Sequence, residues 1–196
     1  KGDERVTNIV LMVMGEPLAN YDNVVRFAGV LVDTKGLSIS HNKVTVSTVG
    51  LAPEIKRFAS DATVNLAVSL NATTDEVRSR IMPINKKYPL EALLDAMRTY
   101  SAGTRKHITI EYVMIKGLND TLDDARRLTR LLKGIPCKIN LIPFNPYPGS
   151  PFEPPVQERI VSFANIIKDA GLVAVVRASK GSDIQAACGQ LKGSYE

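Results

Sequence analysis

The chain has no tryptophan, two cysteines and two histidines among its 196 residues. Cys137 and Cys188 are too few for a disulfide framework, so a reducing, cytoplasmic setting is expected. So few histidines and cysteines also argue against an independent metal site in this chain. No apolar run approaches the roughly 18 residues that a membrane span needs. No signal peptide is visible, because Lys1-Gly-Asp-Glu-Arg5 leads straight into a strand-like run. No methionine opens the chain either, and it is expected to be the later part of a longer protein. Neither a dinucleotide fingerprint nor a Walker loop occurs. No repeat, low-complexity segment or linker divides the sequence, so residues 1–196 read as one domain.

What is present describes a globular protein. Hydrophobic residues make up 44% and charged residues 23%, enough for a sizeable core. The formal net charge is +5, which permits a polyanionic partner such as RNA without requiring one.

Strand-like and helix-like segments alternate along the chain. Asn8–Met14 is a continuous apolar run, the habit of a parallel strand buried on both faces. Further strands are expected at 43–48, 64–70, 107–115, 138–142 and 172–177, rich in β-branched residues. Helical spacing falls between them at 21–32, from Pro53 to Phe58, at 89–100, from Thr121 to about Leu132 and at 156–169, with a capped turn at Thr74–Arg78. A proline-rich loop spans 143–155. Such alternation predicts an α/β protein with a largely parallel sheet and right-handed crossovers, either an open twisted sheet or a partial barrel.

In these folds ligands bind at the carboxyl ends of the strands. The first strand delivers Gly15 and Glu16, the second Ser47 and Thr48, the third Ser69, Leu70 and Asn71, and the fifth Asn145. A serine or asparagine there usually makes only a turn hydrogen bond. Together they form a mouth of hydroxyls, amides, backbone N–H groups and one carboxylate, suited to a small zwitterionic or ribose-bearing ligand. Glu111 lies within a strand, and a structural ion pair is its expected role. Cys137 follows a proline and precedes a strand, and is expected to be packing. His41 and His107 show no partner.

Cys188 differs from Cys137. It sits between Ala186-Ala187 and Gly189, where no bulky neighbour covers it, eight residues from the end of the chain. Read locally, it is either a small buried hydrophobe or a sulfur poised to reach a reacting partner.

Seven ordered segments carry a resemblance to a known family. They are Met14-Gly-Glu-Pro-Leu18, Val44-Thr-Val-Ser-Thr48, Ser69-Leu-Asn-Ala72, Ile84-Asn-Lys-Lys-Tyr88, Ile110-Glu-Tyr-Val113, Asn140-Leu-Ile-Pro-Phe-Asn-Pro146 and Gly181-Ser-Asp-Ile-Gln-Ala-Ala-Cys-Gly-Gln-Leu191. The chain resembles the RlmN/Cfr-type radical S-adenosylmethionine RNA methyltransferases, and within them the RlmN branch. The resemblance implies a partial (β/α)6 barrel, truncated at its N-terminus, with S-adenosylmethionine and a [4Fe–4S] cluster at the mouth. It implies that Gly15 and Glu16 hold the cofactor's amino group, and that Ser47, Ser69, Leu70, Asn71 and Asn145 hold its other polar parts. Cys188 would be the methyl-carrying cysteine. The hydrogen removed from its S-methyl group by a 5′-deoxyadenosyl radical leaves a carbon radical that adds to C2 of an adenine. That carbon is electron-poor and closed to ordinary methyl displacement, and the sulfur tether supplies proximity.

The implied target is an adenosine of 23S rRNA and, in some members, one beside the tRNA anticodon, with an electron donor serving the cluster. The family's cluster cysteines, its resolving cysteine, its acid–base glutamate and its RNA-facing N-terminal domain do not match positions in this chain and are expected upstream. The chain alone is therefore expected to bind no metal cluster and turn over nothing. Asn71 stands where many members have His, and Phe144 where many have Trp. Two alternatives remain: another radical S-adenosylmethionine enzyme, and a non-catalytic RNA-binding module using Lys86-Lys87, Arg105-Lys106 and Arg126-Arg127.

Overall fold

A computed structural model describes residues 6–12, 15–102, 108–147 and 149–177. Six parallel strands stand side by side in chain order: β1 (Ile9–Leu11), β2 (Val44–Thr48), β3 (Asn65–Ser69), β4 (Ile108–Met114), β5 (Cys137–Pro143) and β6 (Val173–Val176). Six helices connect or flank them: α1 (Tyr21–Val32), α2 (Ala52–Asp61), α3 (Asp75–Ile81), α4 (Leu90–Ser101), α5 (Leu122–Leu131) and α6 (Gln157–Asp169). The strand order never reverses, as it would in a doubly wound sheet. With right-handed crossovers this winding keeps the helices on one face. α2 packs on α1 and α4, and α5 packs on α6. Among the described residues β1 and β6 do not pair, so the six strands form an open, partial barrel.

Local chemistry sets the helices. In α1 the apolar spacing buries Val24, Ala28 and Leu31. α5 begins with a capping box, in which the Thr121 hydroxyl accepts from the Asp124 N–H and the Asp124 carboxylate accepts from the Thr121 N–H. The Thr74 hydroxyl accepts from the Val77 N–H and starts α3. Short 3₁₀ turns at Pro17–Asn20, His41–Lys43 and Pro83–Lys86 were not foreseen; each is only a single turn, too brief for periodicity to register.

The core lies between the sheet and the helices. Val46, Leu66 and Ile108 align across β2, β3 and β4, and Val68, Ile110, Ile139 and Ala174 form the next row across β3 to β6. Tyr112 and Phe163 close this layer with ring centroids 5.5 Å apart. The other face carries different chemistry. Ser47, Ala67, Thr109, Lys138 and Val173 share one row, and Ser69, Glu111, Asn140 and Val175 share another. The expectation that the first strand is buried on both faces is corrected here. Val10 is 56% exposed, because in an open barrel the concave side of β1 receives no helix. No helix among the described residues is long and apolar enough to cross a membrane.

Candidate functional site

At the end of β1, Gly15 adopts φ +111°, a backbone that glycine takes without strain. Glu16 follows with both carboxylate oxygens in use. Oε1 accepts from the Leu18 N–H at 3.0 Å and caps the 3₁₀ turn; Oε2 accepts from the Val49 N–H at 2.7 Å. One carboxylate therefore ties the end of β1 to the end of β2. A second tie lies just below, where the Ser47 hydroxyl donates to the Leu11 carbonyl at 2.8 Å. A carboxylate has about four lone-pair sites, so Glu16 keeps acceptor capacity for a ligand cation.

The end of β3 is fixed to β4. Asn71 is one of the two non-glycine residues with positive φ (+57°) among those described. Its side-chain oxygen accepts from the Val113 N–H at 2.8 Å, and its own carbonyl accepts from the Asn119 amide at 2.7 Å. Leu70 is buried, and its N–H donates to the Glu111 carbonyl at 3.0 Å. Ser69 is half-buried at the last position of β3. Asn145 lies two residues beyond β5 and is buried; the preceding Phe144 N–H donates to the Met114 carbonyl at 3.0 Å. Gly15, Glu16, Ser47, Ser69, Leu70, Asn71 and Asn145 thus gather at the carboxyl edge of one sheet. Cys188 lies outside the described residues, as do His107, Arg105 and Lys106.

Two side chains were missed or misread. Arg78 is fully buried beneath this edge. Its Nε donates to the Leu70 carbonyl (3.0 Å), Nη2 to the carbonyls of Val49 (2.8 Å) and Ser69 (3.1 Å), and Nη1 to the Asn85 side-chain oxygen (2.9 Å). Burial pulls its pKa down to about 10, partly offset by Asp75, so it stays cationic at neutral pH. The signal available in the sequence was an arginine flanked by Val77 and Ile81 on a short capped helix. Glu111 is the misreading. It is 7% exposed, and its polar partner is the Asn140 amide at 3.0 Å rather than a cation. Its Oε2 is buried without a hydrogen-bond partner among the described residues. Burial pushes its carboxyl above the usual range, against the bond from Asn140 and the charges of Arg177 and Lys138. Alternation within β4 placed it on the concave face but could not say what stood opposite.

A pocket of about 720 Å³ opens at the other end of the barrel, lined by Val10, Lys43, Thr45, Asn65, Lys138 and Val173 among others. It lies at the amino ends of the strands, away from the edge where such folds bind ligands. Cys137 is half-buried there against the edge of the core, and burial pushes its thiol up to about 11. Of the basic pairs, Arg126 is held by Asp123 at 2.7 Å and Arg127 by Asp124 at 2.5 Å, which weakens the RNA-module alternative at α5. Among the described residues no group of three or more His, Cys, Asp or Glu side chains could hold a metal ion.

Comparison with known proteins agrees with this geometry. The family described as the Radical SAM superfamily matches residues 1–131. A protein of Geobacter sulfurreducens named "Dual-specificity RNA methyltransferase RlmN" is 56% identical over 99% of this chain and 54% of its own length. A protein of the same name from Geotalea uraniireducens is 56% identical over 100% of this chain and 57% of its own. A crystal structure of a radical SAM methyltransferase from Sphaerobacter thermophilus superposes with a TM-score of 0.90 at 46% identity, over 95% of this chain and 55% of that one. The chain spans about half the length of the curated relatives it matches.

Proposed function

The chain belongs to the radical SAM superfamily, and from that premise we propose that it is the cofactor-holding part of an RlmN-type RNA methyltransferase. The observation that carries this reading is the carboxyl edge of the sheet, where a carboxylate, hydroxyls and amides from four strand ends meet. S-adenosylmethionine offers an ammonium, a carboxylate, a ribose and an adenine, and that set of donors and acceptors suits it. Glu16 and the backbone at Gly15 hold the ammonium. Ser47, the Ser69-Leu70-Asn71 segment and Asn145 hold the remaining polar parts.

The described residues do not fit the [4Fe–4S] cluster, since they offer no ligand set. The cluster, with S-adenosylmethionine, supplies the radical chemistry of the superfamily. Its cysteine ligands come from outside these residues, and the chain alone holds no cluster and turns over nothing. The chain is read as one catalytic barrel domain of a longer enzyme, in keeping with its spanning about half the length of the relatives it matches.

Cys188 is the methyl carrier. C2 of an adenosine in 23S rRNA, and in tRNA as a second target, accepts the carbon. The name that the relatives carry, a dual-specificity RNA methyltransferase, supports a two-substrate RNA enzyme. The test is the mass of the peptide containing Cys188, from full-length protein purified with its cluster. A cysteine heavier by one methyl group is expected. An unmodified cysteine under saturating S-adenosylmethionine would return Cys188 to a packing role.

A further inference from the structure

We propose that Arg78 is a positioning residue for the S-adenosylmethionine site, setting the strand-end peptides at the spacing the cofactor requires. The proposal rests on the reading of that edge as the cofactor site. One side chain here bonds three carbonyls at the ends of two neighbouring strands. Glu16 reaches the Val49 N–H, and the carbonyl of the same Val49 receives Arg78 Nη2. The same guanidinium holds the carbonyls of Ser69 and Leu70. A continuous chain of hydrogen bonds therefore runs from the carboxylate at the end of β1, through the end of β2, to the segment at the end of β3.

The acceptors explain why an arginine is needed. Three backbone carbonyls and one amide oxygen lie around a single planar fork, a pattern one lysine ammonium cannot reproduce. Gly50 makes room for it: a Cβ there would stand 3.1 Å from Arg78 Nη2 and 3.2 Å from Leu93 Cδ1. The fork is itself held in place. Asn85 accepts from Arg78 and donates to the Asp75 carboxylate at 2.9 Å and to the Ser79 hydroxyl at 2.9 Å. Asp75 in turn accepts from the Leu90 N–H at 2.8 Å, at the start of α4. Asp75 thus reaches the buried cation through the Asn85 amide rather than by a direct ion pair. Carbonyls held this way point down to the guanidinium, so the Ser69 side chain and the Glu16 carboxylate keep a fixed separation above it.

The full-length, cluster-loaded protein tests this with Arg78→Lys, Asn85→Ala and Tyr100→Phe, each assayed for equilibrium binding of S-adenosylmethionine and for thermal unfolding. Tyr100 donates to the Val64 carbonyl just before β3, so Tyr100→Phe removes a buried bond to the same strand at its opposite end. Arg78→Lys is expected to weaken binding about tenfold or more, and Asn85→Ala about threefold. Tyr100→Phe is expected to lower the unfolding temperature and leave the dissociation constant within about twofold of wild type. If Arg78→Lys does not fold, Asn85→Ala against Tyr100→Phe decides alone. Unchanged binding in the arginine and asparagine variants, or an equal loss in Tyr100→Phe, overturns the proposal. A wild-type protein that binds no S-adenosylmethionine overturns the underlying reading of the site and the proposal with it.

Discussion

Ile110 and Glu111 are neighbours on β4 and stand on opposite faces of one sheet. Both are buried, yet they lie in different surroundings. Ile110 sits in a row with Val68, Ile139 and Ala174 under the helices. Glu111 sits in a row with Ser69, Asn140 and Val175, on the face away from the described helices. The helix-side face follows the rule for parallel sheets, apolar and close-packed. The concave face breaks that rule, with Thr45, Ser47, Asn65, Ser69, Thr109, Glu111 and Asn140 pointing where barrels usually place branched aliphatics. One face holds the protein together; the other is polar, as the proposed cofactor site requires. A stability-only account would have filled it.

The sharpest way to break this comparison is to place the same charge on each face. Ile110→Asp leaves an unpaired carboxylate in the core and is expected to cost about 3–5 kcal/mol, a large part of the stability of a domain this size. Thr45→Asp, half-buried on the concave face beside Lys43, is expected to cost less than about 1 kcal/mol. Urea titration of both variants measures the difference, and equal losses would remove the distinction between the faces.

A second prediction concerns function without fold. Glu16→Gln keeps one acceptor for the Val49 or Leu18 N–H and loses the charge. Binding of S-adenosylmethionine to the full-length protein should fall about tenfold or more, with an unfolding temperature close to wild type. Calorimetric titration checks it.

The third uses Glu111. Its folded carboxyl holds the proton more tightly than the unfolded one, because burial opposes the charge. The folded state therefore binds more protons above the usual glutamate range, and stability falls as pH rises through that window. Glu111→Gln should flatten this slope, gaining stability over wild type at neutral pH and losing the advantage as pH falls below the usual glutamate range, where the wild-type carboxyl is protonated in both states. Denaturant unfolding across pH reads it directly.

The smallest effect is expected at Cys137. With its thiol pushed to about 11, roughly 1 in 3,000 molecules carries the thiolate at pH 7.5. Iodoacetamide should label Cys137 only after unfolding, and Cys137→Ala should leave methyl transfer unchanged. Rapid labelling of Cys137 in the folded protein would show that burial does not control it.

Much of the helix-side face was legible in advance. The span of α1 agrees to the residue, and β2 to β5 agree within one or two, because β-branched runs and apolar spacing report burial directly. The expected helix 89–100 begins one residue late, since Pro89 serves as the N-cap of α4, and Pro83 opens the turn that returns Asn85 to Arg78. The strand-end residues of the mouth were also legible, since topology alone gathers them. Their connections were not. The Val49 peptide that links Glu16 to Arg78 has no signature, because backbone groups look the same in every residue. Glu111 was misread for a related reason: strand alternation gives a residue its side, and only tertiary packing gives it a partner.

The most direct test is a crystal structure of the full-length protein with its cluster and S-adenosylmethionine. The account predicts the cofactor's ammonium within hydrogen-bond distance of Glu16 and its polar groups against Ser47, Ser69, Asn71 and Asn145, at the carboxyl ends of the strands. A cofactor seated instead among Lys43, Asn65 and Lys138, at the amino ends, would contradict it.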